Sequence, residues 1–393
     1  MMLNAKIIGI GAAGNKAAIE LMNEIPELQN NIMLVNTTLK DIPMEYREHA
    51  VELEGLYKGC AKERSVANNI MMENLKSNKF DYPYDDKDAM TIIVTSAEGG
   101  TGSGASIMLA KYISSVYKTH IHFCIFTGFE DDVRGLKNTV DLFKELDPSY
   151  TVEAISNKKF LDEAYGNRLK AEELANKKFC ENVRILLGGT ITESKQNIDE
   201  SDLLKLVNTP GFMVIESANL NKIKNVDDYN KRLISATDDS KSLTTEPTCK
   251  RFGTILDISD KESYFVDYSN KVLKDRYGVP YESFSHIQNV HEDNTIQFII
   301  SGLKMPVEDI EEVYNDFINT RASVDVSKDE FFSKNFSTEA NEFDTLTKSE
   351  KEKNINSAKE DFFNSLGANP TVVESENGTF KKVKKIVVPS SEF

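Results

Sequence analysis

Met90-Thr91-Ile92-Ile93-Val94-Thr95 is an unbroken run rich in β-branched residues, and Gly99-Gly100-Thr101-Gly102-Ser103-Gly104 stands three residues beyond it. The run reads as a strand covered on both faces. From Ser103 to Val116 the apolar residues return at helical spacing. Four glycines with interleaved hydroxyls at a strand-to-helix junction suit an anion, because the backbone approaches closely and the helix offers free N–H groups. A flexible linker is the bland alternative. The loop lacks the Gly-Lys-Ser/Thr of a Walker A sequence, which excludes ordinary P-loop nucleotidases.

Upstream, Ala5 to Ile10 reads as a strand and Gly14 to Ile25 as a helix, joined by Gly9-Ile10-Gly11-Ala12-Ala13-Gly14. Alone, this glycine pattern leaves nucleotide binding and an incidental turn both open. A dinucleotide site would want an acidic residue after the second strand, Asn31–Val35, where Asn36 stands. Strands at Met90–Thr95, His120–Phe126 and Tyr150–Ile155 alternate with helices at Arg64–Lys76, Ser103–Val116 and Val133–Leu146. That alternation predicts an α/β fold with a parallel sheet, whose C-terminal edge turns both glycine loops toward one polyphosphate. A long helix from about Leu169 to Leu187 leads to a second block, with a helix at Glu200–Val207. Strands are expected there at Phe212–Ile215, Thr254–Ile258, Tyr281–Val290 and Thr295–Ser301, and a helix from Pro306 to Asn319.

With 393 residues the chain is long enough for two or three domains, and its formal charge of −16 argues against coating nucleic acid or an anionic membrane with the whole surface. Cys60, Cys124, Cys180 and Cys249 are widely spaced, the usage of a reducing compartment. His120 and His122 share one face of a strand without a third ligand nearby, so no metal site is expected. No signal-peptide pattern and no 18-residue apolar stretch occur, which predicts a cytosolic, soluble protein with no membrane insertion.

The ordered set of motifs resembles the tubulin/FtsZ superfamily of polymerising GTPases over about residues 5–305. Gly99–Gly104 is similar to that family's GGGTGTG/S signature, and Gly11-Ala12-Ala13-Gly14-Asn15 to its first phosphate loop. Phe129-Glu130-Asp131-Asp132-Val133-Arg134 resembles the FEGxRR segment, where Glu130 and Arg134 would contact sugar and phosphates. Asn176 falls where the family places its guanine-contacting residue. Asn197-Ile198-Asp199-Glu200-Ser201-Asp202 resembles the NxDxxD loop, which inserts into the next subunit's nucleotide site. Gly211-Phe212-Met213-Val214 and Thr295–Gly302 are similar to two later strands. From the residues themselves, an amide at Asn176 suits the Watson–Crick edge of guanine. Glu130 and Arg134 lie one turn apart in helical projection, able to hold ribose and phosphate or to form a plain i,i+4 ion pair. Asp199 and Asp202, three apart at a helix start, are also natural caps.

The resemblance implies a parallel-sheet GTP-binding domain (1–168), a central helix (169–188), a smaller mixed-sheet activation domain (189–321) and a tail (322–393). It also implies GTP or GDP with Mg²⁺ as cofactors, head-to-tail self-assembly, and Asn197, Asp199 and Asp202 as the residues completing hydrolysis across the subunit contact. Lys58-Gly59-Cys60-Ala61-Lys62-Glu63-Arg64 replaces FtsZ's glycine-rich loop with a charged one, closer to the plasmid- and phage-borne TubZ branch. Lys381-Lys382-Val383-Lys384-Lys385 would engage a DNA-bound adaptor, giving a role in plasmid or phage DNA partition. A divergent FtsZ-type division protein is the alternative within the family, and a NAD-dependent oxidoreductase the alternative from outside it. The tail is expected to lack order, with Phe331-Phe332 and Phe362-Phe363 either docking peptides or segments packed on the body.

Overall fold

Six parallel strands carry the first half of the chain. They are β1 (Ala5–Ile10), β2 (Ile32–Asn36), β3 (Ala50–Glu52), β4 (Met90–Ser96), β5 (Ile121–Thr127) and β6 (Thr151–Ser156). Four more follow: β7 (Gly211–Asn219), β8 (Arg251–Asp257), β9 (Glu282–Gln288) and β10 (Thr295–Leu303). The computed structural model describes residues 2–319 except 56–57, 131, 193–197, 222, 224, 244, 259–264 and 291–293, together with Phe362 and Ser365.

All ten strands form one sheet in the order β3-β2-β1-β4-β5-β6-β7-β10-β8-β9. The first six are parallel, and β7 continues them through only two register pairs, Thr151–Gly211 and Val152–Phe212. β10 runs antiparallel to both β7 and β8, so the second half is mixed, as expected. β5 and β6 are buried along their whole length because helices cover both faces.

Alternate strand residues feed two cores. Ile8, Ile10 and Ile93 pack with α2 (Arg64–Lys76) and α3 (Gly100–Tyr117). Ile7, Ile92 and Val94 pack with α1 (Gly11–Glu24) and α5 (Arg168–Leu186). α4 (Val133–Glu145) lies beside α3, and α9 (Val307–Asn319) covers α4 through Leu136, Val140, Val313 and Phe317. In the second half, α6 (Glu200–Val207) shares the α1/α5 side. The helices α7 (Val226–Asp238) and α8 (Phe265–Tyr277) cover the other. α5 touches β6 and β7 alike, which makes it the element common to both halves.

Two helices start earlier than their apolar period predicts. α1 opens at Gly11 rather than Gly14, and α3 at Gly100 rather than Ser103. The glycine runs are therefore the first turns of helices, and their N–H groups point out of the strand edge.

Candidate functional site

β2 lies on one side of β1 and β4 on the other, so the C-terminal ends of β1 and β4 flank a crevice where strand order reverses. α1 and α3 both start there and touch. A Cβ placed on Gly11, whose φ is +76°, would sit 2.9 Å from Gly102 N. One on Gly102 would meet the Ile10 carbonyl oxygen at 2.9 Å and Thr95 Oγ1 at 2.5 Å. The glycines thus let two helix ends and two strands meet without side chains between them.

The capping pattern sets α1, α2 and α3 apart from α4, α5, α6 and α7. Asp132, Asn167, Asp199 and Asn225 accept backbone N–H groups at the starts of α4, α5, α6 and α7. Ile10, Glu63 and Gly99 give no side-chain cap to α1, α2 or α3. Neither α1 nor α3 carries an acidic residue in its first turn. Each uncapped end presents several free N–H groups and roughly half a positive charge. Two such ends in contact form a preorganised anion site.

Polar side chains around the crevice add to it. Asn15 is buried, donating through Nδ2 to the Val35 carbonyl at 3.3 Å, and its Oδ1 has no hydrogen-bond partner among the described residues. Thr95 Oγ1 is likewise buried and unpartnered. Thr37 and Thr101 bring their hydroxyls within 3.4 Å across the two loops. Asn36 is tied into its own turn, accepting from Thr37 N at 2.9 Å and donating to Asp41. It offers no carboxylate to a ribose, so the oxidoreductase reading finds no support at this position.

Glu130 and Arg134 are arranged differently from the helical projection. α4 starts only at Val133 because Asp132 caps it by accepting from Gly135 N at 2.9 Å. Glu130 precedes it with φ at +61° and accepts from Lys158 Nζ at 2.6 Å, a pairing that raises the lysine's pKa. Arg134 instead pairs with Glu63. The i,i+4 ion pair does not form, and the two side chains flank the crevice from separate partners.

Asn176 lies on α5, half-buried, and its side-chain amide makes no hydrogen bond to another described residue. Asp199 caps α6, its Oδ1 accepting from Asp202 N and from Ser201 Oγ, both at 2.8 Å. The Asp202 amide bond, above all, lowers the Asp199 pKa. Asn197 lies outside the described residues. α5 runs about 28 Å from the loop-bearing edge toward the opposite one. There the Leu187 carbonyl accepts from Leu3 N, just ahead of β1. α6 follows and leads into the first residue of β7. The two aspartates are therefore carried by the segment that follows the end of α5 away from the glycine loops of the same chain.

Several residues that bind the crevice together escaped the sequence reading. Asn138 Nδ2 donates to the carbonyls of Lys62 and Glu98, both at 3.0 Å, clamping the charged loop to the start of α3. Arg64 grips Glu145 with both terminal nitrogens, at 3.0 and 2.9 Å, and donates to the Ser103 carbonyl at 3.2 Å. Glu98 accepts from Glu130 N at 2.8 Å. Only the charge density of residues 58–64 hinted at this. Its partners on α4 are more than seventy residues away in sequence.

No protein-family model and no curated protein sequence matches the chain. Solved structures do match. A GTPγS-form protofilament of Bacillus thuringiensis serovar israelensis TubZ aligns at TM-score 0.67 and 17% identity, covering 81% of this chain and 91% of that one. A GTPγS-bound protofilament of CetZ2 from Haloferax volcanii aligns at 0.66 and 16%, covering 81% and 99%. Clostridium botulinum phage c-st TubZ aligns at 0.61 and 17%, covering 81% and 98%. The chain has the tubulin/FtsZ-type fold. Within that tubulin-type fold, the uncapped starts of α1 and α3 lie at the strand-order reversal, and α5 is the long helix between the halves. Among the described residues, no helix is long and apolar enough to cross a membrane, and no group of three His, Cys, Asp or Glu side chains could hold a metal ion.

Proposed function

We propose that the chain is a GTP-binding and GTP-hydrolysing protein that polymerises head to tail. The observation that carries this is the contact between two uncapped helix N-termini, with orphaned Asn15 Oδ1 and Thr95 Oγ1 beside them, in a fold shared with nucleotide-bound protofilaments. The N–H groups opening α1 (Gly11, Ala12, Ala13, Gly14, Asn15) and α3 (Gly99, Gly100, Thr101, Gly102, Ser103, Gly104) would hold the phosphates. Asn176 would pair with guanine, and Glu130 and Arg134 would border the sugar–phosphate side. GTP, when bound, supplies the γ-phosphoryl group that passes to water, and Mg²⁺ would be carried by the phosphate oxygens.

Phosphoryl transfer depends on positioning and charge neutralisation rather than on a protein nucleophile. A second copy would supply Asp199 and Asp202, with Asn197, to orient the water. The division into residues 1–168, 169–188, 189–321 and 322–393 belongs to this proposal, as does DNA partition through an adaptor at Lys381–Lys385. Those lysines lie outside the described residues.

The test is to identify the nucleotide that co-purifies, then to follow pelleting with GTPγS and with GDP. Guanine nucleotide and GTPγS-dependent pelleting are expected. Retention of a nicotinamide dinucleotide, or no guanine-nucleotide affinity, would overturn the proposal.

A further inference from the structure

Phe362 stands forty-three residues beyond the last residue of α9, with forty-two between them, yet it is buried to 9% exposure and belongs to the main hydrophobic core. Its ring meets Tyr112 of α3 edge-on, with centroids 5.5 Å apart. Tyr112 is the end of an aromatic series. It meets Tyr117 at 5.9 Å, and Tyr117 in turn meets Tyr82 at 4.9 Å and Tyr84 at 5.1 Å. Phe362 and Ser365 are both helical, and the Ser365 hydroxyl donates to the Phe362 carbonyl at 2.7 Å.

We propose that this aromatic ledge on α3 is a docking site for the chain's own tail, occupied in cis by the segment around Phe362. The edge-to-face geometry is one that aromatic pairs prefer, and Tyr112 is itself backed by Tyr117, against which Tyr82 and Tyr84 both pack. Reach does not limit the contact, since forty-two residues can extend to about 140 Å. α9 also ends on α4, the neighbour of α3. Docking changes where the basic end of the chain is held. Lys381 begins nineteen residues after Phe362, so the lysine cluster is tethered from the α3 flank rather than from the end of α9. The site does not rest on the nucleotide reading, because Tyr112 and Tyr117 belong to the last two turns of α3, at the opposite end from its glycine-bearing turn.

Hydrogen exchange by mass spectrometry on the full chain tests this. Amides around residues 362–365 are expected to exchange at least tenfold more slowly than those of residues 381–385. Phe362→Ala should abolish that protection, and Tyr112→Ala, altered on the opposite side of the contact, should abolish it too. Tyr112→Leu serves if Tyr112→Ala fails to fold. A hundredfold dilution should leave the protection unchanged. Exchange at 362–365 as fast as at 381–385, or protection that survives both substitutions, would overturn the docking. Protection that vanishes on dilution would overturn its assignment in cis.

Discussion

Gly102 and Gly99 are three residues apart in one glycine run, but their surroundings differ. A Cβ on Gly102 would collide with Thr95 Oγ1 and with the Ile10 carbonyl, whereas one on Gly99 would meet nothing within 4 Å. Gly99 also has an ordinary extended backbone, φ −73° and ψ 154°. The role of Gly102 is therefore to let α3 approach β1 and β4, before any phosphate is considered. Gly102→Ala is expected to lower stability by about 1–3 kcal/mol through overpacking. Gly99→Ala should stay within about 0.5 kcal/mol of the parent. Urea midpoints check both, and equal loss in the two variants would contradict the difference in packing. Asp199 poses a comparable choice between capping and chemistry. Asp199→Asn keeps an acceptor for the Asp202 amide but removes the charge, while Asp199→Ala removes both. The asparagine variant should melt with the parent and yet lose GTP turnover, and the alanine variant should also melt lower. Turnover retained by assembled Asp199→Asn would leave the residue as a cap alone.

At the scale of elements, strands were read more faithfully than helices with thin apolar stripes. β1, β4 and β5 are buried on both faces and appear as near-continuous apolar runs in sequence, β6 is buried as fully although Thr151, Glu153 and Ser156 interrupt it, and α2 and α6 have the bounds their spacing predicts. α7 and α8 went unread for a physical reason. Each buries a single residue per turn, Tyr229, Leu233 and Thr237 on one, and Phe265, Ser269, Leu273 and Tyr277 on the other. The two stripes satisfy each other, Tyr229 stacking on Phe265 at 4.3 Å and its hydroxyl bonding Ser269, and neither stripe is wide enough to show alone. The glycine loops were legible because their chemistry is local. The clamp by Asn138 and the grip of Arg64 on Glu145 were not, since they join segments far apart in the chain. Strand edges also carry a pH dependence. Asp88 precedes β4 with its side chain 5% exposed, 3.9 Å from Lys6 Nζ on β1, too far for a hydrogen bond. Burial pushes its carboxyl up to about 6. The folded state then holds a proton that the unfolded chain has released between about pH 4 and 6, so stability falls as pH rises through that window. Asp88→Asn is expected to be more stable than the parent at pH 7.5, with the gap closing near pH 4. Denaturation at both pH values measures it. A less stable variant at pH 7.5 would mean that the Lys6 attraction outweighs burial.

For the whole molecule, the separation of the two edges makes the sharpest demand. The glycine-bearing helix starts belong to the edge where α5 begins, Asn176 lies on that helix, and Asp199 and Asp202 come after its end. On the proposed reading, a lone chain would hold nucleotide without the acids. Turnover per chain should therefore rise steeply with protein concentration instead of staying constant. A stricter test divides the two halves of the site between two variants. Asn176→Ala removes an amide that makes no hydrogen bond to another described residue, so its fold should survive while guanine affinity falls. Asp199→Asn combined with Asp202→Asn keeps the nucleotide edge and removes the acids. At a GTP concentration that saturates the parent but not the Asn176 variant, neither variant alone should turn over. Mixed in equal amounts, they form head-to-tail contacts at random, and about a quarter of those contacts join an intact nucleotide edge to an intact acidic one. Roughly a quarter of the parent's turnover should return in the mixture. Turnover equal to the sum of the two separate variants would place the acids in the service of their own chain, and the separation along α5 would then have to close within a single molecule.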